Sequence, residues 1–579
     1  MIIAEELFDR IVALIQLDEH RAPEVTGMLY DTLKLACREA LSNNRELFGN
    51  LFSQVDYLSR KYSMHLRDVV AIQKMRSETR TGMQFSSKDL LSHARALSIF
   101  ISTIFQTAIP TRLNHLLPRV YYISKAKREI NYRRIRALVL SVQSDAFKVQ
   151  CEQFEDIKEM TVPLNEPHLL YLSTLLKEGM QVNLLDCNVE NDVIETALVV
   201  VIPDFLLDIS SIARCFTDWG HHPLSYTYNR LSPSANSKAI LLGHYSGVAL
   251  DDIINKKEHY SWQESLKKSF SKKALEYCTC GDMNVGDDFK YSAQQQSSNI
   301  QQIVDELFHS EKTSFDESKA ILEPSFICEE LGIQGRVDLM TTDFKLLIEQ
   351  KSGGNFNIER GIINKYGIYQ REDHYVQLLL YYGVLQHNFR LGRNDIDIRL
   401  LYSKYPLPGG LVVVAFYQQL FREAIEFRNR VVVNEIAVAQ QGFGSILTEL
   451  TPFTLNANKL TSSFYQRYIQ PQQNRVLEPL QQLSPLEKAY FNRMMTFVYR
   501  EQASSKTSEN EGHGGCQADL WSMPLSEKRD AGNIYTGLVI VKKERSDATS
   551  GIDLLTFEIT EHDPYFLPNF RKGDSVCLY

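Results

Sequence analysis

Two carboxylates set inside apolar runs constrain this chain more than any other feature. From Leu331 the sequence reads L-G-I-Q-G-R-V-D-L-M-T-T-D-F-K-L-L-I-E-Q-K-S-G-G, and after a gap it reads H-Y-V-Q-L-L-L-Y up to Tyr381. Asp338 lies among Val337, Leu339 and Met340, and Leu346, Leu347 and Ile348 lead into Glu349, Gln350 and Lys351. A buried carboxylate is costly unless something pairs with it. The partners on offer are a divalent cation and the lysine. A surface hairpin with a cross-strand ion pair is the plainer alternative.

The spacing predicts a definite register. A hairpin turning about Asp343-Phe344 puts Asp338 opposite Glu349, and opposed side chains sit about 4.5–5.5 Å apart. That is close enough to share one hard cation through oxygen ligands, and the backbone carbonyl of Gln350 would add another oxygen. Alternation along a strand points Glu349 and Lys351 to one face and the Gln350 side chain to the other. Two carboxylates and an ammonium around one point can polarise a water and stabilise charge developing on a phosphate. On the following helix His374, Gln377 and Tyr381 are spaced i, i+3 and i+7, so they form a polar stripe beside Leu378, Leu379 and Leu380. A helix edge whose glutamine and tyrosine satisfy local backbone groups would read the same.

G-R-V-D, I-E-Q-K and Q-L-L-L-Y, in this order and over roughly Pro203 to Glu435, resemble the PD-(D/E)XK nuclease superfamily. The Q-x-x-x-Y element resembles its RecB-like branch, which includes nuclease–helicase proteins that trim DNA flaps. The resemblance implies that Asp338 and Glu349 bind Mg²⁺ or Mn²⁺, that Lys351 assists the attacking water, and that Gln377 and Tyr381 support the site. Arg360, Lys365 and Arg371 precede the glutamine helix, and with Arg336 and His374 they are the candidate DNA contacts. The branch carries G-x-x-x-H-x-x-L-(E/D) earlier in the chain. Here Leu242 to Asp251 has Gly247 at the histidine position. Either the two strand carboxylates suffice, or His244 or Asp251 substitutes as a metal ligand. Glu323 is a further acidic candidate.

At 579 residues the chain is expected to hold several domains. A net charge of −8 argues against a uniformly basic DNA-coating protein and leaves a local basic groove open. The nine cysteines lack framework spacing, which suggests reduced thiols and a cytoplasmic protein. Some relatives in the resembling branch hold an iron–sulfur cluster through one cysteine before the core and three after it. Only Cys516 and Cys577 follow Glu349, so no cluster is expected. Glu5 and Glu6 directly after Met1-Ile-Ile-Ala, and the lack of a long apolar run, argue against membrane targeting.

The expected class is α+β and multidomain. Residues 1–117 read as a helical accessory domain, with an apolar stripe at Leu7, Ile11, Leu14 and Ile15 and a helix start at Ser86 before Leu90. Lys74, Arg76, Arg80 and Arg95 there read as a solvated face or as phosphate contacts. Residues 118–203 hold β-rich runs that suggest a small OB-like barrel. Its Lys125, Lys127, Arg128, Arg133, Arg134 and Arg136, interleaved with Tyr121, Tyr122 and Tyr132, are what a single-strand-binding surface would use.

Residues 204–443 are the expected nuclease domain, an α/β core with a mixed sheet in which the Glu323–Glu330 strand pairs with the central hairpin. Residues 444–530 read as a helical connector, with a capping box at Ser484 and Glu487 and a polar loop over 502–517. Residues 531–579 read as a β-barrel segment resembling the start of a helicase region. No G-x-x-x-x-G-K-(S/T) occurs, so no ATP site is expected in this chain.

The whole therefore points to a metal-dependent nuclease for single-stranded or flap DNA. It would work with a helicase, in cis beyond residue 579 or in trans, in repair, replication or phage defence. The rival reading is a weak or inactive nuclease fold that binds DNA for a helicase. A restriction-type endonuclease is disfavoured by the Q-x-x-x-Y helix.

Overall fold

A computed structural model describes residues 2–16, 22–80, 86–121, 129–151, 153–154, 159–233, 236–256, 259–281, 287–310, 315–360, 370–392, 395–507, 515–544, 554–560, 566–574, 576 and 578. The chain is α+β and divides into two units that interleave along the sequence. The first comprises 1–129, 285–324 and 337–418, and the second 130–284, 325–336 and 419–579.

The first unit is built on a six-stranded mixed sheet. Its strand order is Leu47–Phe48, Leu411–Val414, Asp397–Tyr402, Leu346–Lys351, Leu339–Thr341 and Ala320–Leu322. Leu346–Lys351 runs parallel to Asp397–Tyr402. Parallel neighbours need a long crossover, and the helix Glu372–Phe389 supplies it, packing against both strands. Asp397–Tyr402 is buried along its whole length, as a strand covered on both faces must be.

The N-terminal helices do not stand apart as an accessory domain. Leu47–Phe48 enters the sheet parallel to Leu411–Val414, and Val413 is part of the core of Leu7, Phe8, Leu33, Leu97 and Phe100. A buried ion chain reinforces the join. Arg60 bridges Asp56 and Asp397 at 3.0 and 3.2 Å, and Arg399 bridges Asp397 and Glu46 at 2.9 and 3.2 Å. Short-range periodicity shows that these helices have an apolar face but cannot say what the face covers. Ser86 caps the helix Ser87–Ile104 as its position suggests.

In the second unit a closed five-stranded barrel is formed by Tyr132–Val142, Ala146–Cys151, Met160–Pro163, Val193–Glu195 and Gln181–Glu190, which returns to the first strand. Leu198–Val201 adds to its edge. Ile135, Val139, Phe147, Val162, Leu184 and Ile194 fill the interior. Of its basic run, Lys125, Lys127, Arg128 and Tyr122 lie outside the described residues. Arg134 and Arg136 pair with Glu329 and Asp204.

The Glu323–Glu330 strand departs from expectation. Ala320–Leu322 pairs with the central hairpin, whereas Ser325–Cys328 pairs with Ile333–Arg336 in a separate three-stranded sheet of the second unit. Glu323 at φ 50° and Pro324 break the run in two.

Arg428, fully buried on the helix Gln418–Gln441, donates to the carbonyls of Val201, Ile202, Phe205 and Gly332. The capping box at Ser484 and Glu487 is formed. Beyond residue 531 the described β structure is one ribbon, Leu538–Glu544 with Leu554–Ile559. The strand expected over 574–579 lies partly outside the described residues, as does the loop expected over 502–517, of which 502–506 instead continue the helix Pro485–Lys506.

Candidate active site

The hairpin turns where its sequence suggests. Phe344 takes φ 56° and its N–H donates to Thr341 O at 2.9 Å, while the Thr341 hydroxyl accepts from Lys345 and Leu346 N–H. Leu339 then pairs with Ile348, so Asp338 stands opposite Glu349, one step past the ladder.

Glu349, Lys351 and Gln377 close a ring of charged and amide groups. Glu349 Oε1 accepts from Lys351 Nζ at 2.9 Å and from Gln377 Nε2 at 2.7 Å, and Lys351 Nζ also donates to Gln377 Oε1 at 2.8 Å. Asp338 Oδ2 accepts from Gln350 N–H at 2.6 Å. Glu349 is 3 % exposed, and among the described residues no donor reaches its Oε2. Burial, and after it the Asp338 carboxylate, push the Glu349 pKa up to about 8 against the pull of Lys351. Two acids at this point therefore resist both carrying negative charge.

Three residues that sequence reasoning passed over steady the lysine strand. Ser403 donates its N–H to Lys351 O at 3.0 Å, Gln296 donates to Ser352 O at 3.2 Å, and Asn299 donates to Ser403 O at 3.0 Å. Gln296 and Asn299 are buried polar residues on the helix Asp287–Phe308. The available signal was amides on the face of a helix that also buries Ile300, Ile303 and Leu307.

Tyr402 is the fourth. It pairs in register with Lys351, and its hydroxyl meets His374 Nδ1 at 3.1 Å. His374 is thus turned inward rather than offered to a strand. Burial, aided by the Lys351 and Arg371 charges, pushes its pKa down to about 3 against Asp373.

The remaining candidates scatter. Tyr381 is buried one turn past Gln377. Gln350 reaches Asp338 through its backbone and belongs to the half-buried strand end. Arg371, half-exposed, is paired with Asp373 at 2.7 Å. Arg360 is exposed and lies over the Phe356 ring at 4.4 Å. Lys365 lies outside the described residues. Arg336 is exposed and belongs to the second unit, as does His244. His244 is exposed on the helix Lys238–Lys256, and Asp251 lies further along it. Exposed Glu323 donates its N–H to Asp338 O at 3.1 Å.

Among the described residues no three His, Cys, Asp or Glu side chains converge as a metal cluster. The cation-binding capacity of the hairpin rests on two carboxyl groups. They fit a hard cation in one respect: the buried, unpartnered Glu349 Oε2 is an acceptor that neither Lys351 nor Gln377 fills.

No protein-family model matches this sequence, and no curated protein matches it. Among the described residues no helix is long and apolar enough to cross a membrane.

Proposed function

We propose that this chain is a metal-dependent nuclease of the PD-(D/E)XK type, RecB-like branch, that hydrolyses phosphodiester bonds in single-stranded or flap DNA. The observation that carries the reading is the unpartnered oxygen of Glu349, buried opposite Asp338 and beside a lysine held by two acceptors. A buried carboxyl group set against a second, half-buried acid without such a role would be an unrepaid cost.

Asp338 and Glu349 would hold Mg²⁺ or Mn²⁺, which when bound supplies Lewis acidity toward a phosphate oxygen and lowers the pKa of a bound water. Glu349 would give up its proton to solvent when the cation binds. Lys351 spends two of its three N–H groups on Glu349 and Gln377, and it directs the third at the attacking water or a non-bridging phosphate oxygen. Gln377 spans acid and lysine and keeps both from swinging away. The second unit's barrel has the strand order 1-2-3-5-4-1 of OB folds, which supports a role in holding a strand. A helicase partner, in cis or in trans, follows from the same family reading.

The test is cleavage of end-labelled single-stranded, flap and duplex DNA with Mn²⁺, comparing wild type with Glu349→Gln. Cutting that vanishes in the variant is expected. DNA bound by wild type but never cut would instead favour a nuclease fold that only guides DNA, a reading to which Gly247 at the family's histidine position already lends weight.

A further inference from the structure

Away from the hairpin, a half-buried cation of the first unit has no carboxylate partner among the described residues. Arg76 lies on the helix Leu66–Arg80 and is half-buried, yet among the described residues no carboxylate pairs with it. Its neighbour one turn on is Arg80, a like charge. Arg80 at a helix C-terminus is accounted for by the helix dipole, but Arg76 in mid-helix is not. Burial foremost, and the Arg80 charge, draw the Arg76 pKa below its ordinary value, with Tyr30 and Tyr417 opposing.

The guanidinium is nevertheless held in one orientation. Its Nε donates to Gln73 Oε1 at 2.7 Å, and Gln73 Nε2 is itself anchored on Phe52 O at 3.1 Å. Its plane lies over the Phe52 ring at 5.1 Å, and Tyr417 meets that ring edge-on at 6.2 Å. Orienting Arg76 through Nε leaves the Nη donors for something else, and a planar fork of this kind matches the oxygens of a phosphate.

We infer that Arg76, backed by Phe52 and flanked by Arg80, is a binding site for a phosphate group, carried by a single nucleic-acid strand or free in solution. The inference does not depend on the hairpin being catalytic.

The test uses the full chain in EDTA, so that nothing is cut. It measures anisotropy of fluorescein-labelled oligothymidylate and thermal shifts with inorganic phosphate, on wild type, Arg76→Gln, Arg76→Lys and Arg80→Gln. For a strand site, Arg76→Gln weakens oligothymidylate binding about tenfold and flattens the log–log salt dependence by about 0.7. Arg76→Lys recovers part of it, keeping the charge without the fork.

For a free-phosphate site, inorganic phosphate raises the melting temperature of wild type and not of Arg76→Gln, while strand affinity stays put. Wild type that binds neither probe, or a folded Arg76→Gln that binds both as wild type does, overturns the inference. Should Arg76→Gln fail to fold, unchanged binding in both Arg76→Lys and Arg80→Gln overturns it equally. A chain that binds oligothymidylate through Arg76 and cuts no DNA would sink the nuclease reading and leave this one standing.

Discussion

At the scale of single residues, Glu349 has the clearest consequences. Its folded pKa of about 8 lies above the ordinary 4.5. Its contribution to stability is therefore full below pH 4.5 and is lost as pH rises through 8, because only the unfolded chain gives up the proton cheaply in that window. In EDTA, wild type is expected to lose melting temperature between these limits relative to Glu349→Gln, which has no proton to lose. Parallel melting curves for the two proteins across the window would refute this account of the site.

Lys351→Ala removes the donor common to Glu349 and Gln377. It is expected to lower cleavage by about 10²–10³-fold, the cost of losing one aimed donor, with circular dichroism unchanged. Wild-type rates from the alanine variant would rule out the proposed role. The three residues of this ring were legible in the sequence because strand alternation and helical spacing are local rules. Tyr402, Gln296 and Asn299 were not, since each reaches the site from an element whose neighbours depend on the fold.

At the scale of elements, Gly247 sits inside the helix Lys238–Lys256 with open space where a Cβ would go. Gly247→Ala is expected to stabilise the protein by about 0.5–1 kcal/mol through the unfolded chain's lost freedom, read as a shift in urea midpoint. Gly332 is the opposite case. It takes φ 63°, and a Cβ there would lie 2.3 Å from Arg428 Nη2. Gly332→Ala must displace a guanidinium that serves four buried carbonyls, and a loss of about 3 kcal/mol or more is expected. A midpoint within error of wild type would show that Arg428 can move aside freely. The split strand at Glu323-Pro324 belongs to this scale too: the backbone at Glu323 takes φ 50°, and the segments on either side of it join different sheets.

At the scale of the molecule, each unit is assembled from segments distant in sequence. The N-terminal helices share a core and a buried ion chain with the sheet that carries the hairpin. Deleting residues 1–117 is therefore expected to unfold that sheet rather than to release a working domain. A truncated chain with a cooperative melting transition would contradict this.

The sequence by itself determined what nearest neighbours and short periods control. These are the turn at Phe344, the pairing of Asp338 with Glu349, the faces of Lys351 and Gln377, the caps at Ser86 and Ser484, and the β-rich runs of the barrel. Only the tertiary structure decided which surfaces meet: the N-terminal helices on the sheet, the barrel arginines on Glu329 and Asp204, His374 on Tyr402, and Arg428 on its carbonyls. The physical reason is that an apolar stripe or a charge specifies that it needs a partner, whereas the partner is chosen by long-range packing that no local pattern encodes.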